Sequence, residues 1–447
     1  MKKVVKFGGS SLASAEQFEK VGAIIRADKD RRYVVPSAPG KRFSGDTKVT
    51  DMLYGCYELA EAGQDFKKEL DAIKARYDEI ITGLKLTLDL TNDFKTIDKN
   101  FKAKAGKDYA ASRGEFLNGK VMAEYLGFPF VDSAEVIFFN EDGEFDAERT
   151  HTVLSARLSK LDCAVVPGFY GSYGRGAEET VPASRVKTFS RGGSDVTGSI
   201  VAKAVQADVY ENWTDVSGFL IADPRIIPNP EAIDTITYQE LRELAYMGAS
   251  VLHEDAIFPV RKEGIPINIR NTNAPEDKGT WIVGSTCQKS KYTITGIAGK
   301  KGFCAVNIDK DMMNSEIGFG RKCLQAFEDN GISFEHMPSG IDTMTIFVHQ
   351  DEFMHKEQAV VSAIHRMAKP DRIDIESDLA LIAVVGRGMR STRGTAGRIF
   401  SALAHANVNV KMIDQGSSEL NIIIGVRNQD FETAIRAIYN IFVISQL

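Results

Sequence analysis

From Phe303 to Phe442 the hydrophobic pattern is written twice. Strand-like Phe303–Ile308, a helix near 315–329, strands Ile332–Met337 and Thr343–Val348 and a helix near 353–367 form the first copy. Leu379–Val385, a helix near 394–406, Val408–Ile413, Leu420–Val426 and a helix near 430–442 form the second. In its first helix Ile399, Leu403 and Ala406 recur at i, i+4 and i+7, which makes one apolar stripe for covering a sheet. Strand–helix–strand–strand–helix repeated about 75 residues apart predicts a pair of small ferredoxin-like α+β units. The leftover strand Tyr292–Ala298 precedes the first copy and can complete the sheet of the second, so that the first is inserted within the second.

The first 285 residues have a different rhythm. Short apolar runs at Tyr33–Val35, Cys163–Val166, Val209–Trp213 and Ile265–Ile269 alternate with helical patterns. That alternation predicts an α/β domain whose mainly parallel sheet is sandwiched by helices. Residues 60–105 read as helices with loops around Thr82-Gly83 and Thr91-Asn92, and nothing in them looks catalytic. Asn271–Lys278 suits a loop closing this domain. The expected domains are 1–285, 299–374, and 375–447 together with strand 292–298.

Composition narrows the functional classes. A formal net charge of −6 disfavours nucleic acid as a primary partner, since phosphate-backbone binders carry a basic face. The five cysteines (Cys56, Cys163, Cys287, Cys304, Cys323) and seven histidines show no metal-ligand spacing, which fits reduced structural thiols. The N-terminus opens into strand-like Val4–Phe7, so no signal peptide is expected. No apolar run approaches the roughly 18 residues of a membrane span. A soluble cytoplasmic protein is expected.

Three segments carry chemistry. Lys6-Phe7-Gly8-Gly9-Ser10-Ser11 follows a strand and precedes a helix near Ala15. Its glycines allow close backbone approach to an anion, and Lys6 can sit on a transferring phosphoryl group. It is not a Walker A loop. Ser190-Arg191-Gly192-Gly193-Ser194-Asp195 ends an extended run, Val186–Phe189, and opens a helix over Val196–Val205. Arg191 offers a planar fork for a carboxylate. Thr214-Asp215-Val216-Ser217-Gly218 leaves a strand, and Asp223-Pro224-Arg225 ends the same loop, where nucleotide sites of open α/β sheets lie. Gly114-Glu115-Phe116-Leu117 reads as the start of a helix running to about Leu126, with Glu115 in its first turn answering the helix dipole or binding an ammonium. Taken singly, these segments also read as a glycine turn with a solvated lysine, a Ser/Asp helix cap and an Asp-Pro turn.

In this order the motifs resemble those of the aspartate kinases of the amino-acid kinase superfamily. The likeness extends through Ser37-Ala38, Val49-Thr50-Asp51, Gly248-Ala249-Ser250-Val251-Leu252-His253 and the doubled tail, which is similar to paired ACT domains. Gln415-Gly416-Ser417-Ser418-Glu419 matches the second of these. Glu335-His336-Met337-Pro338-Ser339-Gly340-Ile341-Asp342 resembles the lysine-regulated monofunctional branch, and no fused dehydrogenase is expected. The resemblance implies transfer of a phosphoryl group from ATP, with Mg²⁺ carried by the nucleotide, to the side-chain carboxylate of L-aspartate. That is the first step toward lysine, threonine and methionine.

By resemblance Lys6, Arg191 and Asp195 are catalytic, and Ser37, Thr50, Glu115, Arg191 and Ser194 bind the substrate. Lys6, Gly8, Gly9, Ser10, Thr214, Asp215, Leu220, Arg225, Ser250 and Val251 bind the nucleotide. Leu220 stands where many relatives have tyrosine, and Ser250 where many have lysine. Met313, Ile317, Gly318, Phe319, Glu335 and Asp342 are implied contacts of an L-lysine effector, with threonine as a further candidate. The implied assembly is a homodimer through the ACT units, or a dimer of dimers. The acceptor carboxylate has a reference pKa of about 3.9, so it is already ionised at neutral pH and needs no general base. Two alternatives stay open, a catalytically silent amino-acid sensor and a superfamily kinase for another amino acid. Lys6, Arg191 and Asp215 argue against the first, and the doubled tail against the second.

Overall fold

The computed structural model describes residues 1–173, 181–190, 192–249, 252, 256–286 and 290–445. They form two compact units. The first comprises Met1–Phe219, Asp234–Tyr238 and Val251–Thr286; the second comprises Leu220–Ile233, Gln239–Ser250 and Cys287–Leu447.

The first unit is built on a seven-stranded sheet. Its strands lie in the order Ala164–Val165, Arg31–Pro36, Lys3–Phe7, Val209–Thr214, Ile267–Asn271, Thr280–Val283, Thr235–Thr237. Every pairing is parallel except Ile267–Asn271 with Thr280–Val283. Val4, Val5, Phe7, Val34 and Val35 are fully buried, as expected of strands covered on both faces. Helices Ala15–Arg26, Val49–Glu61, Lys67–Gly83, Thr91–Lys102 and Lys107–Leu126 contribute Phe18, Leu53, Tyr77, Phe94 and Leu117 to a common core.

Two local expectations change. Thr91 opens a helix instead of lying in a loop, because Asp89 accepts a hydrogen bond from its amide just ahead of that helix. The helix carrying Glu115 begins at Lys107, so Glu115 lies in its interior and not in a first turn. The stretch ahead of Ser190 has a paired base. Tyr170–Tyr173 and Val186–Thr188 form an antiparallel hairpin beside Phe138–Phe139. Residues 174–180 lie outside the described residues.

In the second unit a six-stranded antiparallel sheet runs Phe334–His336, Thr343–His349, Gly296–Asp309, Arg372–Val385, Asn421–Arg427, Met412–Asp414. Two 14-residue strands, Gly296–Asp309 and Arg372–Val385, pass through both repeats. The register shifts after Lys301, at Gly302 with φ +92°, where glycine allows the turn of the backbone. Beyond it, Phe303–Asp309 pairs with Thr343–His349. Before it, Gly296–Lys301 pairs with Val385–Ala380, which in turn pairs with Asn421–Val426. The early strand therefore completes the second repeat around the first.

Leu220–Ile233 and Gln239–Ser250 belong to this unit through specific bonds. Ile297 N–H donates to Ile221 O at 2.6 Å, and Arg436 Nε to Ile226 O at 3.2 Å. Glu240 is fully buried and accepts from Thr295 Oγ1 at 2.6 Å and from the Arg387 amide at 2.8 Å.

Candidate active site

The carboxyl ends of the central parallel strands hold the first unit's polar groups. Parallel pairing sets Lys6 beside Asn212 on the neighbouring strand. Helix Gly193–Ala204 then lays its first turn over both. Asp195 Oδ1 accepts from Lys6 Nζ at 2.6 Å and from Asn212 Nδ2 at 2.8 Å. Lys6 is only 8% exposed, and a buried ammonium of this kind is stable only when paired.

Directly after Lys6 the chain turns. Gly8 N–H donates to Trp213 O at 3.0 Å, and Gly40 N–H to Gly9 O at 2.8 Å. A Cβ on Gly9 would lie 2.8 Å from Ala38 O and 3.2 Å from Gly40 N, so the two strand exits approach closer than any other residue permits. Ser10 follows, exposed, in the short turn Gly9–Leu12. Gly9→Ala is expected to raise the nucleotide KM about tenfold or more by prising these exits apart. Nucleotide titration beside a circular-dichroism melt checks it; an unchanged KM removes the turn from nucleotide binding.

Thr214 and Asp215 leave the adjacent strand end, with Thr214 Oγ1 donating to Asp215 Oδ1 at 3.2 Å. Ser37 directly follows strand Arg31–Pro36, and Thr50 lies in the first turn of helix Val49–Glu61, which is tied back by Val49 N–H to Pro39 O. Ser194 packs against Gly168 in the first helical turn. Glu115 is buried, and burial pushes its carboxyl up to about 8 against the opposing pull of the Ala38 backbone N–H.

In the second unit Leu220 is exposed and bridges to Ala232. The Arg225 guanidinium is bound by Asp223, two residues away in its own turn, at 2.6 Å. Arg191, Ser250 and Val251 lie outside the described residues.

Some site-forming residues escape the sequence reading. Asn212 sits inside the run taken as a buried strand, where a polar side chain was itself a signal. Arg76 comes from the helical region over residues 60–105, in which nothing looks catalytic from sequence. Its Nη2 donates to Gly40 O at 3.1 Å and its Nη1 meets Asp46 Oδ2 at 3.1 Å, tying the glycine turn to the approach to Thr50. Its signal was a cation on the apolar face formed by Ile73, Tyr77 and Ile80.

In the tail, Met313 and Phe319 are buried in the core of the first repeat. Ile317 is 97% exposed, and Gly318, at φ +82°, caps helix Phe319–Glu328. Glu335 Oε1 pairs with His349 Nε2 at 3.1 Å, and Asp342 Oδ1 accepts from Met312 N–H at 3.0 Å.

Residues 1–271 match the model of the amino acid kinase family, and residues 382–442 that of an ACT domain. Aspartokinase 3 of Bacillus subtilis is 40% identical over 455 residues, covering 98% of both chains. The crystal structure of Clostridium acetobutylicum aspartate kinase, described as an allosteric enzyme, superposes with TM-score 0.89 at 50% identity, covering 99% of this chain and all of that one. E. coli aspartokinase III, solved with aspartate and ADP, shares the fold with TM-score 0.72 at 24% identity, covering 98% and 99% of the two chains. A buried lysine beside a glycine turn on a parallel sheet, joined in one chain to a doubled ACT tail, defines a small-molecule kinase with a regulatory module. The chain belongs to the amino acid kinase family and, within it, to the aspartokinases.

Proposed function

We propose that the chain transfers the γ-phosphoryl group of ATP to the side-chain carboxylate of L-aspartate, giving ADP and 4-phospho-L-aspartate. The observation that carries this reading is Lys6, buried at the end of a central strand and held by Asp195 beside Gly8 and Gly9. Nucleophile and electrophile are both anionic, so the catalytic problem is repulsion, and a fixed cation solves it.

Lys6 neutralises charge on the transferring group, and the Gly8–Gly9 amides hold phosphate oxygens. Asp195 and Asn212 keep the ammonium oriented. Glu115 receives the substrate ammonium, giving up its proton to do so. Thr50, Ser37 and Ser194 supply polar contacts, and Arg191 clamps a carboxylate. Thr214 and Asp215, with Arg225, Leu220, Ser250 and Val251, serve the nucleotide.

Among the described residues no three or more His, Cys, Asp or Glu side chains gather as a metal-holding set. Mg²⁺ is proposed to arrive on the nucleotide, where it spreads phosphate charge. Asp195 and Asp215, near the strand ends, fit contact with its water shell.

Lysine is the proposed feedback effector, received at the first repeat, and a homodimer through the ACT units is the proposed assembly. Met312, Ile317, Phe334 and Ile341 are apolar and exposed on that repeat, as an edge awaiting a partner would be. Among the described residues no helix is long and apolar enough to cross a membrane. Cys56, Cys163, Cys304 and Cys323 are free thiols, which suits the cytoplasm.

Hydroxamate formation from ATP, aspartate and hydroxylamine tests the reaction. Product with glutamate or N-acetylglutamate but none with aspartate would reassign the substrate. Lysine binding without any ATP consumption would make the chain a sensor.

A further inference from the structure

Helix Lys107–Leu126 is buried along most of its length and carries four buried polar side chains, Ser112, Arg113, Glu115 and Asn118. Two of them are satisfied locally. Ser112 Oγ donates to Tyr109 O at 2.7 Å, and the Arg113 guanidinium lies over the rings of Tyr109, Phe116 and Tyr170. The other two are not. Among the described residues, Glu115 Oε2 and Asn118 Oδ1 are buried oxygens with no hydrogen-bond partner.

These two residues are three apart, so they share one helix face. Both reach the same point of the backbone. Asn118 Nδ2 donates to Ser37 O at 2.6 Å, and the Ala38 amide faces the Glu115 carboxyl. The Asn118 amide orientation follows from chemistry: Ser37 O can only accept, so the group facing it is Nδ2 and the orphan is the oxygen. Asn118 is 0% exposed, and a buried acceptor without a donor is a standing cost that proteins retain where a ligand supplies the donor.

We propose that Asn118 Oδ1 is a second acceptor for the α-ammonium of the substrate, working with Glu115, and that the pair selects amino-bearing dicarboxylates. A tetrahedral ammonium carries N–H groups in separate directions, so one can meet a carboxylate while another meets an amide oxygen. This inference rests on the reading of Glu115 as the ammonium site.

The test uses the full-length chain with Asn118→Leu and, in case leucine disturbs the packing, Asn118→Ala. The KM for aspartate is measured beside the inhibition constant of succinate, which has both carboxylates and no amino group. The expected result is an aspartate KM raised about tenfold, with succinate inhibition and nucleotide KM nearly unchanged. An unchanged aspartate KM, or a parallel loss for aspartate and succinate, overturns the proposal and leaves Asn118 as a brace for Ser37 or a partner of buried water. Glu115→Gln separates the two levels. If it leaves the aspartate KM unaltered, the substrate-site reading itself fails. If it raises that KM while the Asn118 variants show no selective effect, the Asn118 inference fails alone.

Discussion

Lys6→Ala is expected to lower kcat by about a thousandfold, roughly 4 kcal/mol of transition-state stabilisation. The magnitude follows from burial. In water an ammonium beside two anions is screened, but Lys6 is 8% exposed and held at 2.6 Å by Asp195, so its field acts in a medium that screens weakly. The KM for aspartate should change little, because Lys6 acts on the phosphoryl group as charge moves and not on the bound acid. Lys6→Arg should not restore activity, since the planar guanidinium does not fit the ammonium's place between Asp195 and the glycine turn. Single-turnover hydroxamate formation, with a thermal melt showing the fold intact, measures the effect. A kcat within tenfold of the native value would remove Lys6 from the chemistry. Effector binding by the tail should survive the substitution.

Glu115→Gln should raise the aspartate KM by about ten- to a hundredfold, the range for losing a hydrogen bond to a charged partner. It should also make the protein more stable at pH 8. The sign follows from proton counts. Burial raises the Glu115 carboxyl to about 8 in the folded chain, whereas the unfolded chain releases that proton near the ordinary value of 4.5. Between those limits the folded state binds more protons, so rising pH costs stability until the folded group also ionises. Glutamine removes that slope. Denaturant midpoints of the two proteins should therefore be similar at pH 4.5 and diverge in favour of the variant by pH 8. The same linkage makes aspartate binding release a proton at pH 7, so the native aspartate KM should fall as pH rises from 6.5 to 8.5. Identical pH slopes for both proteins would show that Glu115 is ionised before substrate arrives.

The two chemical keys were unequal in how openly they were written. Lys6 and its glycines stood in a contiguous motif, since a phosphate turn is made by neighbouring residues. The Glu115 motif was visible too, but its environment was misjudged, because the helix starts at Lys107 and buries the residue in its interior. Phe319 and Met313 were proposed as effector contacts on resemblance alone. Only packing shows that their side chains face the core. The division of units was likewise hidden. Leu220–Ile233 follows the Thr214 run without a break in pattern, yet Ile221 and Ile226 are hydrogen-bonded to Ile297 and Arg436 of the second unit.

By itself the sequence determined the two architectures and the order of their strands and helices. Hydrophobic period, turn residues and repeats are properties of neighbouring positions. Tertiary structure alone decided that strand register sets Asn212 beside Lys6, that Arg76 braces the glycine turn, and that Glu115 and Asn118 are buried with an oxygen each to spare. Those outcomes depend on which distant segments meet and how much water they exclude, and no local pattern carries that information.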